Sequence, residues 1–160
     1  MIGIISDTHE NEEAIMKAVA LFKQKNVEFV VHCGDIISPP MLEHFKGLNV
    51  KFIYGNNDGE KIGLNAKAKD LGFEEIKDEK EFEYRGKKFC VYHGTKIGKL
   101  DFIIQSNKYD YVLTGHTHVK SDEKFGKTRV INPGALFRIR PYTIALLDAE
   151  KDRLEFVEVK

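Results

Sequence analysis

Side chains that can bind metal ions follow short apolar segments at five places in the sequence. These side chains are Asp7, His9, Asp35, Asn56, His93, His116 and His118. Each residue type alone has an ordinary explanation, because Asp caps helices, Asn suits turns and His packs in cores. It is improbable that all seven would follow apolar segments by chance. We therefore interpret the set as one metal site.

The ligand chemistry indicates which ions the site would take. Carboxylate and amide oxygens with imidazole nitrogens, and no thiolate, suit Mn, with Ni, Fe, Co or Zn as alternatives. Seven ligands are too many for one ion, whereas a bridging Asp35 divides them into four ligands for each of two ions. Two-metal sites stabilise both the attacking and the leaving oxygen of an in-line displacement at phosphorus. Their residual positive charge attracts an anionic phosphate.

The elements that must position these ligands follow from the hydrophobic pattern. Apolar runs at residues 2–5, 28–33 and 50–54 predict strands, and residues 12–25 and 38–45 predict helices between them. This alternation is typical of a parallel βαβαβ sheet. Ligands of such sheets bind beyond the carboxyl ends of the strands, which is where the candidate ligands lie.

The second half of the chain is predicted to be richer in strands. Apolar and β-branched runs predict strands at residues 81–85, 87–92, 109–113, 119–125, 128–131, 143–148 and 153–159. A helix is predicted at 99–107, and residues 60–78 are predicted to form a helix, then a loop and a short strand. His93 and the pair His116 and His118 again follow strands.

Composition limits the class of protein. The 160 residues, with 42% hydrophobic and 31% charged side chains, are expected to form a single globular domain over 1–160. Twenty-five acidic and 25 basic residues cancel, so sequence-independent nucleic-acid binding is not indicated. The apolar runs are too short for a membrane span, and the first residues do not resemble a signal peptide. We expect a cytoplasmic protein with buried, unpaired Cys33 and Cys90; a homodimer is left open.

Five sequence blocks carry a family resemblance. The strings Asp7-x-His9, Gly34-Asp35, Gly55-Asn56, His93-Gly94 and Gly115-His116-Thr117-His118 resemble, in order, those of the calcineurin-like metallophosphoesterases. The short length and Asn132-Pro133-Gly134 are similar to the small archaeal and bacterial phosphodiesterases of that superfamily.

The resemblance implies a four-layer α/β/β/α sandwich, with two mixed β-sheets packed face to face and helices outside. It also implies that Asp7, His9, Asp35 and His118 hold one metal and that Asp35, Asn56, His93 and His116 hold the other. The function it implies is hydrolysis of a small phosphate diester by a metal-bridging hydroxide.

Beyond the ligands, we assign catalytic roles to Asp35, Asn57 and His93 and substrate binding to Asn57, Arg138 and Arg140. Asn57 departs from the family pattern, because many members have a histidine there that is thought to protonate the leaving group. An amide cannot act as a general acid, so Asp58 is considered as a substitute, with a helix cap as its ordinary explanation.

A second departure is Ala135, where related proteins often have serine, and this removes a candidate hydroxyl contact to the substrate. Lys96 and Lys99 follow His93 and could reach phosphate, although solvated surface charges are the favoured interpretation. His32 and His44 match no motif and are treated as structural, with His32 close to Asp35.

Two alternative functions remain open. The same site serves phosphomonoesterases across the superfamily. A non-catalytic scaffold resembling the small retromer subunit is the alternative from another class. A scaffold has no need of an intact ligand set, and all seven ligands are present here.

Overall fold

The computed structural model describes residues 1–160. Its three α-helices are α1 (Glu12–Gln24), α2 (Lys61–Asp70) and α3 (Ile97–Gln105), and a 3₁₀ helix spans Pro39–Phe45. The ten strands are β1 (Ile2–Ile5), β2 (Phe29–His32), β3 (Val50–Phe52), β4 (Glu79–Tyr84), β5 (Lys87–Tyr92), β6 (Tyr111–Leu113), β7 (Ser121–Phe125), β8 (Thr128–Asn132), β9 (Thr143–Asp148) and β10 (Arg153–Glu158).

The strands form two mixed sheets of five. The first has the order β10-β9-β1-β2-β3, in which β1, β2 and β3 are parallel and β9 and β10 are antiparallel additions. The second has the order β4-β5-β6-β8-β7, with a parallel centre and antiparallel edge strands. The predicted parallel arrangement of the first three strands is therefore confirmed, with a 3₁₀ helix in place of the second predicted helix.

Alternation of side chains along β1 shows how the layers pack. Ile2 and Ile4 face the second sheet and join a buried cluster that includes Phe89 of β5. Ile5 faces the other way and packs with Phe22 of α1, as expected because successive strand residues point to opposite faces. A third cluster lies between the second sheet and α3. The predicted four-layer sandwich is confirmed.

Helix α1 illustrates how the sequence fixes one outer layer. The Asn11 side chain accepts a hydrogen bond from the backbone N–H of Ala14 and so caps the helix, and Glu12 and Glu13 complement the positive end of the helix dipole. Its buried residues recur at helical spacing and pack on the first sheet: Ala14, Ile15, Ala18, Val19 and Phe22.

Several predicted boundaries shift in the structure. The helix predicted at residues 38–45 is a 3₁₀ helix that spans Pro39–Phe45 and begins with two prolines. In the region predicted as helix, loop and strand, α2 ends at Asp70, and the strand reduces to one bridge between Ile53 and Lys77. Helix α3 occupies Ile97–Gln105 instead of 99–107. No helix combines the length and the hydrophobicity that crossing a bilayer requires.

Candidate metal centre

The seven predicted ligands come together where strands of both sheets end. Asp7, Asp35 and Asn56 lie on the loops after β1, β2 and β3 of the first sheet. His93 follows β5, and the loop after β6 carries His116 and His118. Three of these parallel strands belong to the first sheet and two to the second. All five direct their carboxyl ends to one common region.

The first predicted ligand group is compact. One donor atom from each of Asp7, His9, Asp35 and His118 lies within 4.8 Å of the others. His118 Nε2 is 3.2 Å from Asp7 Oδ1, and His9 Nε2 is 3.6 Å from Asp35 Oδ2. Carboxylate oxygens and imidazole nitrogens at this separation can converge on a single divalent ion.

The second predicted group meets at Asn56. The Oδ1 atom of Asn56 is 3.1 Å from His93 Nε2 and 2.9 Å from His116 Nδ1. His93 Nε2 is also 3.5 Å from Asp35 Oδ2, so Asp35 borders both groups. The structure therefore brings all seven predicted ligands together, with Asp35 between the two sets.

Unsatisfied atoms show that this site fits a metal ion. Asp7 Oδ1 and His9 Nε2 are the buried side-chain polar atoms that have no hydrogen-bond partner in the protein. Leaving a buried polar atom without a partner costs about 1–3 kcal/mol, so such atoms are rare in folded proteins. Both orphaned atoms belong to the first ligand group, where an ion would supply the missing partner.

The backbone at the site is held in an uncommon conformation. Five of the predicted ligands have left-handed φ angles: Asp7 at 51°, His9 at 47°, Asp35 at 60°, His116 at 69° and His118 at 62°. Few non-glycine residues adopt this region, and clusters of them are typical of functional sites. Ile37, two residues after Asp35, has φ 79°, a conformation that a β-branched side chain strongly disfavours.

Two glycines of the sequence motifs are required by close approach. A Cβ atom at Gly55 would fall against the carboxylate of Asp35. A Cβ atom at Gly115 would collide with the Ser6 hydroxyl and the Asp7 carboxylate. The glycines therefore let the loops after β3 and β6 come within contact distance of the buried aspartates.

Burial and charge act in opposite directions on the site's ionisable groups. Asp35 and His93 are each about 1% exposed, and burial alone would raise the pKa of Asp35 and lower that of His93. Hydrogen bonds from His93 and Asn57 outweigh burial and lower the pKa of Asp35. The Asp35 and Asp7 charges likewise raise the pKa of His93, whereas burial lowers that of His9.

Neighbouring groups orient the ligands. Asn57 donates to both carboxylate oxygens of Asp35, from its backbone N–H at 2.9 Å and its side-chain amide at 2.7 Å. His93 Nδ1 lies 2.7 Å from the carbonyl oxygen of Cys33 and donates to it, which leaves Nε2 free to act as a ligand. Asp7 Oδ2 accepts from Ser6 Oγ at 2.6 Å.

Asp58 has a role that the sequence did not reveal. It is 2% exposed, and its carboxylate accepts four backbone hydrogen bonds: from Ile36 at 2.7 Å, Ile37 at 2.7 Å, Gly55 at 2.7 Å and Asp35 at 2.9 Å. Burial raises the pKa of Asp58, but both of its carboxylate oxygens are engaged by backbone N–H donors, and this engagement argues against Asp58 as the substitute acid. The helix-cap explanation is wrong as well, because Glu60 occupies the N-cap of α2.

His32 connects the first two ligand loops beneath the candidate metal centre. It is fully buried, and burial lowers its pKa to about 3, so the ring is neutral. Its Nδ1 accepts from the backbone N–H of Gly34 at 3.2 Å, and its Nε2 is 3.0 Å from Thr8 Oγ1. The expectation that His32 is structural and close to Asp35 agrees with this position between the first two ligand loops.

A cleft of about 720 Å³ opens over the ligands. Ile37, Phe137, Arg138 and Tyr142 form part of its wall, and Asn57 also lines it. Phe137 stacks on the His9 ring with 4.0 Å between centroids, a contact that no sequence pattern indicated.

Of the residues predicted to bind substrate, Arg140 alone lies outside this cleft. Its guanidinium group lies over the Tyr142 ring, and it lines a separate small pocket.

The Asn132-Pro133-Gly134 motif fixes the last ligand loop. The Asn132 amide is buried and donates to Gly115 O at 2.7 Å and to Thr117 Oγ1 at 3.0 Å, the two residues that flank His116. Ala135 is 2% exposed, so its side chain packs in the interior. The second departure from the family pattern therefore concerns a core position.

The sandwich of two mixed sheets carries, at its strand ends, a cluster of Asp and His side chains that could hold a metal ion, an arrangement that suits a metal-dependent hydrolase. Residues 1–152 match the calcineurin-like phosphoesterase superfamily domain. The chain belongs to this superfamily and is a hydrolase of phosphate esters, and the family implies the use of divalent metal ions.

Individual relatives agree with this assignment. A phosphodiesterase from Methanocaldococcus jannaschii is 41% identical over 155 residues, which cover 94% of this chain and 93% of the relative. A solved structure of an archaeal phosphodiesterase superposes with a TM-score of 0.92 at 38% identity, covering 98% of both chains. A phosphoesterase from E. coli shares the fold at a TM-score of 0.72 and 17% identity, covering 99% of both chains.

Proposed function

We propose that this protein is a phosphodiesterase that uses two divalent metal ions, with Mn as the expected metal. The observation that carries the proposal is the position of Asp35 between two sets of ligand atoms, one meeting at Asp7 and the other at Asn56. When bound, the ions would supply Lewis acidity, a more acidic water molecule and charge stabilisation at the phosphorus.

The chain's own residues would orient the reacting groups. Asp7, His9, Asp35 and His118 would hold one ion, and Asp35, Asn56, His93 and His116 the other. Asn57 keeps the Asp35 carboxylate in a fixed orientation through its two hydrogen bonds and lies in the cleft, where its exposed amide can contact a phosphate oxygen. Arg138 lines the same cleft and can donate to a phosphate oxygen.

Charge in the cleft favours a diester over a monoester. The wall of this cleft carries Arg138 as its cation and Glu10 as an opposing anion, so the wall itself adds little net positive charge on this side of the metal centre. A diester carries one negative charge, whereas a monoester carries close to two at neutral pH and needs more compensation. The phosphodiesterase relative at 41% identity supports the same choice. Phosphomonoester hydrolysis is the second candidate.

The scaffold alternative is not favoured. A protein that only binds partners has no need of seven ligands, two orphaned buried atoms and a set of left-handed ligand residues. Each such strained residue costs about 1–3 kcal/mol. A metal site gives a reason to maintain this cost, whereas a partner-binding surface does not.

A reconstituted assay tests the proposed function. Metal-free protein would be loaded with Mn and assayed with bis(4-nitrophenyl) phosphate and 4-nitrophenyl phosphate. We expect metal-dependent turnover with a larger kcat/KM for the diester. His118→Ala should reduce activity strongly, whereas the control His44→Ala should retain it, because His44 pairs with Glu12 away from the cleft. A larger kcat/KM for the monoester would overturn the assignment in favour of a phosphomonoesterase.

A further inference from the structure

A second cleft adjoins the metal centre on the side of Asn56 and His93. Its volume is about 460 Å³, and both of these residues contribute to its wall. Asn56 also lines the larger cleft described above, so the two clefts meet at this residue. A phosphate ester placed at the metal centre can therefore extend one substituent into each cleft.

The second cleft is lined by three lysines: Lys61, Lys96 and Lys99. Lys99 pairs with Glu79 at 2.7 Å and Lys61 pairs with Asp78, whereas Lys96 forms no ion pair with any carboxylate. With the Asp58 carboxylate of the cleft wall included, three ammonium groups face three carboxylates, and Lys96 is the ammonium group that has no ion-pair partner. The Asp58 carboxylate at the back of the cleft is already occupied by four backbone N–H groups.

Aromatic rings hold two of these ammonium groups at the cleft. Lys61 Nζ lies 4.7 Å from the centre of the Tyr54 ring, and Lys99 Nζ lies 4.6 Å from that of Tyr92. Both tyrosines are part of the cleft wall. The lysines are thus restrained beside the cleft by ring contacts and ion pairs, and they can exchange a carboxylate partner for an anionic ligand.

The two clefts differ in chemistry. The larger one presents Ile37, Phe137 and Tyr142, whose surfaces suit an apolar or aromatic substituent. The smaller one presents ammonium groups and polar side chains, with two tyrosines as its hydrophobic members. A diester has two substituents. The difference in chemistry indicates that the larger cleft accepts an apolar substituent and the smaller cleft a charged or polar one.

We infer that the lysine cleft binds an anionic group, a second phosphate or a carboxylate, carried by one of the two ester substituents. The inference rests on the proposed phosphodiesterase function and narrows its substrate class to unsymmetrical diesters with one charged substituent. In the reaction the bond from phosphorus to the other alcohol breaks, water supplies the new oxygen, and the charged substituent stays on the phosphate product.

A matched series of substrates tests this inference. The Mn-loaded protein would be assayed with 4-nitrophenyl propyl phosphate and with analogues whose propyl chain ends in a carboxylate or a phosphate. Nitrophenol leaves in every case, so leaving-group chemistry is constant. We expect a larger kcat/KM for the charged analogues, mainly through a lower KM, and the two analogues distinguish a carboxylate from a phosphate. Added salt should reduce the preference, because the contact is exposed to solvent.

Lys96→Gln is the decisive variant. It removes the unpaired charge and should cut the preference for charged substrates by about threefold to fivefold, the size of a single exposed charge contact. Turnover of the propyl ester should not change. Lys96→Glu should reduce the preference further, whereas Lys23→Gln, which removes an exposed lysine on α1 outside both clefts, should leave it intact.

The outcomes separate this inference from the proposed function. Normal turnover of the propyl ester with no preference for either charged analogue would overturn the inference alone. A preference that Lys96→Gln and Lys96→Glu both leave unchanged would overturn it too. Failure to hydrolyse any of the diesters would overturn the phosphodiesterase assignment and this inference with it.

Discussion

The backbone N–H of Ile37 donates a hydrogen bond of 2.7 Å to Oδ1 of Asp58, and it does so from a left-handed conformation with φ 79°. Asp58 Oδ2 accepts at the same time from the N–H of Asp35, which is left-handed as well. One buried carboxylate therefore fixes a turn that orients Asp35, a proposed metal ligand, and places the Ile37 side chain in the cleft over the candidate metal centre.

Asp58→Asn should weaken this turn. The amide group would face the N–H donors that now bind a carboxylate oxygen, so buried donors would lose their partners at about 1–3 kcal/mol. We expect the free energy of unfolding of the metal-free protein to fall by about 2–3 kcal/mol and the affinity for Mn to fall as well. Denaturant unfolding and calorimetric titration measure the two effects.

Ile37→Gly provides the matched test of the same turn. Glycine adopts left-handed φ without strain, so in the Asp58→Asn background it should restore part of the lost stability. Unchanged Mn affinity in Asp58→Asn would show that the carboxylate does not position Asp35. If Ile37→Gly restored no stability in that background, Asp58 would not act by holding the strained backbone of Ile37.

His32 should make the metal-free protein sensitive to acid. Its pKa is about 3 in the folded state against 6.5 for the free side chain, so the unfolded chain binds a proton first. The stabilisation is complete above pH 6.5 and is lost as pH falls towards 3, with a limiting slope of about 1.4 kcal/mol per pH unit. Stability measured from pH 7 to 4.5 should therefore fall.

His32→Gln should flatten this pH dependence. The glutamine side chain keeps polar atoms at this position but does not titrate. The variant should be less stable at neutral pH, because the two hydrogen bonds of His32 are disturbed. His44→Gln, at a half-buried position paired with Glu12, serves as control and should keep the wild-type slope. Equal slopes for His32→Gln and wild type would contradict the assignment of a neutral, buried His32.

The sequence was sufficient for the strands and for the side chains that meet at the candidate site, because both follow from local patterns, and the family resemblance supplied the four layers. Apolar runs predicted the strands, and polar residues at strand ends predicted the seven side chains that the structure brings together. What it could not show depends on contacts between distant segments. The left-handed angles at the ligands, the stacking of Phe137 on His9 and the four hydrogen bonds of Asp58 arise only when loops of different strands meet.

Asn57 should make the rate depend steeply on the leaving group. Its amide donates to Asp35 and cannot protonate a leaving oxygen, so aryl diesters should react readily and alkyl diesters slowly. General acid catalysis is worth roughly 10²–10⁴-fold where it operates. Asn57→His should accelerate alkyl substrates most, whereas Asn57→Ala should slow all substrates alike. A rate that is independent of leaving-group pKa, with chemistry rate-limiting, would mean that another acid already acts.

Asp35→Asn should be more damaging than the loss of any ligand at the edge of the site. The carboxylate lies between both ligand sets, where two cations would repel each other without its charge. We expect turnover to fall below detection while circular dichroism shows a folded protein, and His118→Ala should retain more metal. Activity near the wild-type level in Asp35→Asn would remove the bridging role.

The number of metal ions per chain tests the two-metal site most directly. Metal-free protein would be titrated with Mn by calorimetry, and the saturated sample analysed for its metal content. Seven ligand side chains in two sets predict saturation at about two ions per chain, with the second step weakened in His116→Ala. Saturation at a single ion, with full diester hydrolysis at that occupancy, would contradict the two-metal site proposed for this protein.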